Sequence, residues 1–425
     1  MAEFDPKTSV EPLSPPEAEF LEDRPWNPEL GEPRSFAPTG RVRQGPPGEV
    51  LARWPAAWDE IPAERFIRMP AGDVDALAAP STAVAAEAAR DRALIVIPCL
   101  NEAAAIERVI GEILADDGLV DPLVLVADGG SSDGTRAIVG EIAARDGRVR
   151  LIDNPGRLQS AGVNLAARLM GEGRPWLVRV DAHADYPARY VSTLIAEARA
   201  SGAASVVVAM DTRGEGAFQR AAAAAQNSRL GTGGAAHRVG GVGWVDHGHH
   251  ALFRLDAFSA AGGYDEAFSH NEDAEFDLRL RGGGGTIWLT DKVRIGYHPR
   301  ATARALARQY FSYGKGRART VLKHRARLKA RQALPLAVAP ALLLALFAPL
   351  SGVFALPALA WAAAALAYGA GLAIRARDPV VALSGPAAMV MHAAWSAGFW
   401  RQLAAHALAR RVAVPEPRFV PAAAE

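Results

Sequence analysis

The segment between about residues 91 and 300 alternates short apolar runs with stretches of helical spacing. Its β-rich apolar runs, which we expect to be strands, lie at 93–98, 123–127, 149–153, 176–181 and 205–210. Helical patterns begin near Glu102, at Thr135 and at Ser160. This alternation predicts an α/β fold with a mixed, mainly parallel sheet that carries helices on both faces.

The regions on either side of this segment have different patterns. Residues 1–90 are rich in proline and acidic side chains, and such a composition predicts a disordered tail with a solubilising or docking role. Residues 333–374 contain no charged side chain, which is long enough for two membrane spans of about 20 residues each. The apolar segment at 379–400 is a candidate third span, or a segment that lies in the membrane interface.

These patterns divide the chain into four parts. We expect the disordered tail at 1–90, a catalytic domain at 91–325, a transmembrane region with two or three spans at 326–405, and a second tail at 406–425. Residues 315–331 are dense in Lys and Arg and contain no acid, which predicts that the catalytic domain faces the cytoplasm.

The overall composition narrows the function only slightly. The chain has 425 residues and a formal net charge of +1, so charge gives no reason to expect a nucleic-acid partner. The single cysteine, Cys99, cannot form an internal disulfide. Neither a dinucleotide-binding nor a P-loop glycine motif is present in the sequence.

Polar side chains follow several of the predicted strands. Ligands of parallel α/β sheets bind beyond the carboxyl ends of the strands, which directs attention to these side chains. At such an end, Asp128 precedes the segment GGSSDGT, where an open backbone can approach a nucleotide while the carboxylate accepts hydrogen bonds from a base or ribose. The same segment also matches the G-x-S-x-G pattern of serine hydrolases, with Ser132 as nucleophile. The other strand-end candidates are Asn101, Glu102, Asp153, Asn154 and Asp181.

Two further clusters contain side chains that could bind a metal or act in catalysis. Asp181 and His183 are two residues apart after a predicted strand, so on extended chain both side chains point the same way and can share a divalent ion with phosphate oxygens. The segment at 269–281 concentrates acids that include Glu272 and Asp273. Acids suit a helix N-terminus, but a glycine-rich strip with three histidines precedes them, and that strip is more typical of a pocket wall.

Four motifs, in order, resemble those of a known enzyme family. They are VIPCLNE (96–102), VADGGSSDGT (126–135), VRVDAHADYP (178–187) and HNEDAEFDLRLR (270–281). Together they resemble inverting GT-A glycosyltransferases of family 2. The segments VDHGHHA and QYFSYGKG are similar to those of the succinoglycan-type exopolysaccharide glucosyltransferases. The resemblance covers about residues 91–325.

The resemblance implies a role for particular residues. In this family the matching positions contact the donor nucleotide, the metal and the acceptor hydroxyl. Here the second of two adjacent aspartates is replaced by Gly129, an aspartate of the metal motif is replaced by His183, and the usual Trp after the RQY segment is absent. The implied donor-binding residues are Pro98, Glu102, Asp128, Asp181, Arg308 and Gln309, the metal ligands are Asp181, His183 and His298, and the catalytic pair is Asp273 as base with Glu272.

The resemblance also implies the reaction. We expect a UDP-sugar donor, with glucose as the sugar, a Mg or Mn ion as cofactor, and a polyprenyl-diphosphate-linked glycan as acceptor at the lipids of the inner membrane. Besides the serine hydrolase with Ser132 as nucleophile, two alternatives stay open from the sequence. One is a polyprenyl-phosphate monosaccharide transferase, and the other is a non-catalytic membrane scaffold of a polysaccharide assembly complex.

Overall fold

The computed structural model of the chain describes residues 90–328 and 330–412. The predicted N-terminal tail, apart from Arg90, and residues 413–425 of the predicted C-terminal tail lie outside these residues. The strands are β1 Arg92–Cys99, β2 Val120–Asp128, β3 Val149–Asp153, β4 Trp176–Arg179, β5 Ser205–Thr212, β6 Gly243–Val245, β7 His249–Arg254 and β8 Ile287–Tyr297. The helices are α1 Ile106–Leu114, α2 Thr135–Arg145, α3 Gln159–Met170, α4 Tyr190–Ser201, α5 Ala217–Gln226, α6 Arg229–Thr232, α7 Ala236–Val239, α8 Leu255–Ala260, α9 Glu272–Gly282, α10 Ala303–His324, α11 Ala330–Leu336, α12 Val338–Ala345, α13 Leu356–Ala376 and α14 Ser384–Val412.

The strands form one eight-stranded sheet in the order β3-β2-β1-β4-β7-β5-β8-β6. The first four in this order are parallel, and so are β5 and β8, whereas β7 and β6 run antiparallel to their neighbours. The five strands predicted from apolar runs are confirmed, and so is the mixed, mainly parallel sheet. Strands β6, β7 and β8 complete it.

Both faces of the sheet are buried because helices cover each of them. Within β1, Ile95 and Ile97 belong to an apolar cluster with α1 and α4, whereas Leu94 and Val96 point into a cluster with α3 and α9. Side chains alternate between the two faces of a strand, so a continuous apolar run is what a doubly covered strand requires. The predicted helices on both faces are thus confirmed.

The pairing register brings the polar strand ends to one edge of the sheet. Cys99 at the end of β1 is level with Asp128 at the end of β2, and Asp128 is level with Asp153 at the end of β3. Adjacent strands are about 4.8 Å apart. The edge formed by the carboxyl ends of the parallel strands therefore collects the side chains that the sequence singles out.

The C-terminal region contains two helices that are long and apolar enough to cross a membrane. They cover Gly352–Ala376 and Pro379–Ala409, each including a short 3₁₀ turn before α13 or α14. The first of the two spans predicted within residues 333–374 differs. It forms the two short helices α11 and α12, with Pro335 inside the first, because proline removes a helical hydrogen bond and kinks the backbone.

Helix α14 packs directly on the domain that contains the sheet. Its residues Ala387 and Met391 share an apolar cluster with Leu306 and Tyr310 of α10, and Arg220 of α5 forms an ion pair with a residue just before α14, Asp378. The segment predicted as a third span or an interfacial helix thus begins on the surface of the sheet domain.

Glycines allow α10 and α14 to approach closely. A Cβ added to Gly398 of α14 would lie 2.0 Å from the carbonyl oxygen of Phe311, and one added to Gly314 of α10 would lie 2.0 Å from that of Trp395. These distances are far below van der Waals contact, so neither position accommodates a side chain unless the helices separate.

We expect Gly398→Ala to destabilise the protein by about 1–3 kcal/mol, because overpacking forces backbone shifts. Gly371→Ala on α13 is the matched control, since a Cβ at Gly371 would meet nothing within 4 Å. Thermal unfolding of the detergent-solubilised chain measures both variants. Equal unfolding temperatures for the two would contradict the close contact between α10 and α14.

Candidate active site

The carboxylate of Asp128 organises its own loop. It is fully buried and accepts hydrogen bonds from the main-chain N–H of Gly130 at 3.0 Å and of Ser131 at 3.1 Å. Arg136 Nη1 of α2 donates to the same carboxylate at 2.7 Å. Burial raises the pKa of Asp128, but the hydrogen bonds from Ser131 and Arg136 outweigh it and hold the pKa below its usual value. The Asp128 carboxylate thus stabilises the conformation of its own loop.

The polar residues of the GGSSDGT segment tie two loops together. The main-chain N–H of Asn101 donates to Ser131 Oγ at 2.8 Å, and the N–H of Ser132 donates to Asn101 Oδ1 at 2.9 Å. The N–H of Glu102 donates to Thr135 Oγ1 at 2.9 Å. These bonds fix the loop after β1 against the loop after β2, which explains why hydroxyl and amide side chains occur in so open a segment.

A cleft of about 350 Å³ opens beside this loop. Arg136 bridges two carboxylates that line the cleft, because its Nη1 contacts Asp128 and its Nη2 lies 2.6 Å from Asp153 Oδ1. A Cβ at Gly129 would lie 3.3 Å from the carbonyl oxygen of Arg157, so the loop after β3 leaves little room for a second aspartate there. The cleft is lined by Asp128, Gly129, Gly130, Arg136, Asp153, Asn154, Pro155 and Arg157.

Asp181 lies just after β4 and is held from several sides. Its Oδ1 accepts from Gln159 Nε2 at 2.9 Å and lies 3.4 Å from Arg179 Nη2, while its Oδ2 lies 3.3 Å from His249 Nε2. The hydroxyl of Tyr186 accepts from the Asp181 main-chain N–H at 2.7 Å. Burial raises the pKa of Asp181, but the Arg179 charge and the His249 hydrogen bond outweigh it and hold the pKa well below its usual value.

The two histidines predicted as metal ligands contact other carboxylates. His183 Nδ1 lies 2.9 Å from Glu102 Oε1, and His298 Nε2 lies 2.8 Å from Asp185 Oδ2. Within residues 90–328 and 330–412, no group of three or more His, Cys, Asp or Glu side chains is placed to hold a metal. The contact with Asp185, two residues after His183, places His298 against the segment that carries Asp181 and His183.

Arg179 connects the end of β4 to the start of α9. Its buried guanidinium lies 3.4 Å from Asp181 Oδ1 through Nη2 and 3.2 Å from Glu272 Oε1 through Nη1. Burial raises the pKa of Glu272 to about 7, although the charge of Arg179 opposes this and the neighbouring Asp273 adds to it. The arginine thus brings the motif after β4 and the acidic motif of α9 into one site.

Asp273 lies next to this pair in the first turn of α9. It is partly exposed, and its Oδ1 accepts from the Ala274 main-chain N–H at 2.7 Å. The helix begins after Asn271, which has a left-handed φ of 64° and whose side chain donates to the carbonyl oxygen of Tyr313 on α10 at 2.8 Å. The carboxylate of Asp273 therefore lies at the positive end of a helix that α10 anchors.

The remaining predicted residues lie at the margin of this arrangement. Pro98 is half-buried in β1, level with Ala127. Gln309 of α10 donates to the hydroxyl of Tyr297 at 2.9 Å, and Arg308 beside it is exposed. The structure thus gathers Glu102, Asp181, His183, Glu272 and Asp273 near the end of β4, with Asp128 two strands away.

Four residues that contact Asp128 or Asp181 were not predicted as site residues from the sequence. They are Arg136, Gln159, Arg179 and His249. The strip VDHGHHA indicated a pocket wall that includes His249, so a signal existed for this residue. The others lie at or next to the ends of regular elements and carry no local pattern, because most of their partners are distant in the sequence.

The fold and site are those expected of a GT-A glycosyltransferase. The family model "Glycosyl transferase family 2" matches residues 94–262. Succinoglycan biosynthesis protein ExoA of Rhizobium meliloti (strain 1021) is 54% identical over 311 residues, which cover 73% of this chain and 94% of the relative. The chain belongs to glycosyl transferase family 2.

Two solved structures show a low similarity to this chain. One is the mannosyltransferase PcManGT of Pyrobaculum calidifontis in complex with GDP-Man and Mn²⁺, at 22% identity and a TM-score of 0.47, covering 73% of this chain and 87% of that chain. Another is TarS of S. aureus, at 14% identity and a TM-score of 0.39, covering 59% of this chain and 42% of that chain.

The raised pKa of Glu272 predicts a pH-dependent stability. Between the ordinary pKa of 4.5 and about 7, the unfolded chain loses this proton while the folded chain keeps it, so folding stability falls as pH rises. Glu272→Gln removes this loss. As pH rises from 5.5 to 8, the unfolding free energy of the variant should therefore increase by on the order of 1–2 kcal/mol relative to that of the unsubstituted chain.

Glu275→Gln on the same helix is the control. The pKa of Glu275 is lowered to about 2, because the Arg279, Lys323 and His324 contacts outweigh its burial. The stability that ionised Glu275 contributes is lost only as pH falls below about 4.5. The difference in unfolding free energy between Glu275→Gln and the unsubstituted chain should therefore stay constant between pH 5.5 and 8. Denaturant titrations at several pH values measure both, and a constant offset for Glu272→Gln would contradict the raised pKa.

Proposed function

We propose that the chain transfers a sugar, expected to be glucose, from a UDP-sugar to a hydroxyl of a polyprenyl-diphosphate-linked glycan in exopolysaccharide biosynthesis. The observation that carries this proposal is the contact of Arg179 with both Asp181 and Glu272. It joins the strand end where a diphosphate is expected to the helix that supplies the base. The biosynthetic setting is supported by the succinoglycan relative.

The donor nucleotide is proposed to occupy the cleft beside the Asp128 loop. The cleft is about 350 Å³, which suits a base and ribose. Arg157 and Asn154 line it and offer donors and acceptors to the base. Asp128 supports the nucleotide by fixing the backbone of Gly130 and Ser131, so its contribution is mainly to hold the loop in the shape that binds.

A Mg or Mn ion fits the residues beyond β4 if substrate phosphates complete its shell. Ions of this kind are commonly bound through one or two carboxylates together with phosphate oxygens and waters. Asp181 is ionised, and its Oδ2 has a contact to His249 at 3.3 Å; His183 lies on the same loop. Bound there, the ion would neutralise charge on the leaving diphosphate.

Asp273 is proposed as the general base. A hydroxyl is a weak nucleophile at neutral pH, and removal of its proton during attack typically contributes 10²–10⁴-fold to the rate. Glu272 is buried against Arg179 and holds that arginine toward Asp181, so it positions the site. In-line attack on the anomeric carbon from the side opposite the diphosphate inverts its configuration.

The membrane is the proposed location of the acceptor. Two apolar helices are long enough to cross it, and α14 begins on the catalytic domain. A lipid-linked acceptor would therefore meet the site beside α10. We propose an inner-membrane location with the catalytic domain in the cytoplasm, on the basis of the Lys- and Arg-rich segment at 315–331.

The test is a screen of radiolabelled UDP-sugars with membranes that contain the full chain, in the presence of Mg²⁺ or Mn²⁺. We expect one sugar to be incorporated into a lipid-linked glycan, with a β-linkage from an α-linked donor. A single sugar on a lipid monophosphate would instead identify a monosaccharide carrier transferase. Absence of UDP binding in calorimetry would identify a scaffold.

Asp273→Asn should lower transfer by at least about 100-fold while UDP binding stays within twofold, because the base acts only as the hydroxyl attacks. Asp291→Asn is the control, since Asp291 is an exposed residue of β8. Initial rates with saturating donor measure transfer, and calorimetry measures binding. Full activity of Asp273→Asn would exclude this residue as the base.

A further inference from the structure

A group of cations lies beside the acidic motif, on the side of the site that faces α14. Lys315 and Arg319 belong to α10, Arg401 belongs to α14, and Arg300 follows β8. The Lys315 Nζ and the Arg401 Cζ each lie 5.9 Å from the centre of the Phe311 ring. Two helices therefore direct positive charge to the Phe311 ring, while Arg319 Nη1 of the same helix as Lys315 donates to the carbonyl oxygen of Ala267 at 3.2 Å.

The most buried member of this group is Lys315, whose residue surface is 9% exposed. Burial, together with the charges of Arg401 and Arg319, lowers its pKa to about 8. The neighbouring His270 is also affected by positive charge, because burial together with the charges of Arg300 and Arg319 lowers its pKa to about 4. Positive charge that repels itself in a partly buried site is stabilised by an anion.

The group is fixed in position relative to the proposed base. A Cβ at Gly316 would lie 2.5 Å from the carbonyl oxygen of His270, so the turn of α10 that carries Lys315 contacts the segment just before α9. Asn271 also donates to α10 through the Tyr313 carbonyl oxygen. Lys315 is therefore held near the start of α9, where Asp273 lies.

The same group is also fixed relative to the second apolar helix. Gly314 and Gly398 allow α10 and α14 to touch, and Arg401 lies within the Pro379–Ala409 segment, toward its C-terminal end. Arg401 is exposed, and Arg300 and Arg319 are half-buried. Phosphate groups of lipids lie at the level where such a segment meets water.

We propose that Lys315, Arg319, Arg401 and Arg300 bind the phosphate groups of a membrane lipid, and that this lipid is the diphosphate-linked acceptor. The assignment to the acceptor rests on the function proposed above. Arginine and lysine are the residues that proteins use for phosphate. Binding the diphosphate here would present the attached glycan to Asp273 and would keep the acceptor separate from the donor diphosphate at Asp181.

A binding measurement tests the site without requiring catalysis. The full chain in phosphatidylcholine nanodiscs is saturated with UDP and titrated with farnesyl diphosphate, with farnesol as the uncharged comparison. We expect diphosphate binding that weakens with added salt and that weakens at least tenfold in Lys315→Met and in Arg319→Gln. Lys315→Arg should restore most of the affinity because it keeps the charge.

Arg304→Gln is the matched control, since Arg304 is an exposed residue of the same helix, and its affinity should equal that of the unsubstituted chain. Affinity for UDP, measured separately, should be unchanged in all four variants, which shows that they are folded. Farnesyl diphosphate affinity that does not depend on Lys315 and Arg319 would overturn the site.

A second arm distinguishes the source of the phosphate. Nanodiscs in which phosphatidylglycerol replaces part of the phosphatidylcholine should reduce farnesyl diphosphate binding only slightly if the site is built for the acceptor. Complete displacement of farnesyl diphosphate by phosphatidylglycerol would show that the cations bind bilayer lipid, and it would overturn the assignment of the site to the acceptor. In transfer assays, Lys315→Met should raise the KM for the acceptor at an unchanged KM for the donor. Loss of donor binding would instead count against the proposed function itself.

Discussion

The site depends on one buried cation. Arg179 lies at the end of a central strand with its guanidinium between Asp181 and Glu272, and removal of one partner from such a buried group typically costs about 3–5 kcal/mol. The two carboxylates would repel one another without it. The charge of Arg179 lowers the pKa of both carboxylates; it holds the pKa of Asp181 well below its usual value, whereas burial still leaves Glu272 with a raised pKa.

Helix α10 has a corresponding role for the surroundings of the site. Its N-terminal half packs on α14 through Leu306 and Tyr310, and its later turns contact the segment that begins α9. Near its end, Lys323 and His324 enclose the buried carboxylate of Glu275. A single helix thus links the acidic motif, the apolar helices and the cations around Lys315.

The sequence predicts the part of the fold that local patterns determine. Strands β1 to β5 are predictable because contiguous β-branched runs are typical of strands buried on both faces. Strand β8 is not, because IWLTDKVRIGY mixes charged and apolar residues, and no local pattern reveals that β7 inserts antiparallel between β4 and β5. Likewise, Asp128 and Asp181 are predictable as strand ends, whereas Arg136 and Gln159 become significant only through contacts that the folded chain creates. For Asp128 the structure also shows a loop-forming role that its position alone does not indicate.

The glycine contacts between α10 and α14 have a mechanical consequence. The backbones of α10 and α14 touch there without intervening side chains, so the sheet domain is held against α14. If α14 crosses a bilayer as proposed, the sheet domain would have a fixed height above it. If the acceptor is anchored by its lipid, only a glycan of a particular length would place its terminal hydroxyl beside Asp273. The stiffness of one helix pair would then determine at which stage of chain growth this enzyme acts.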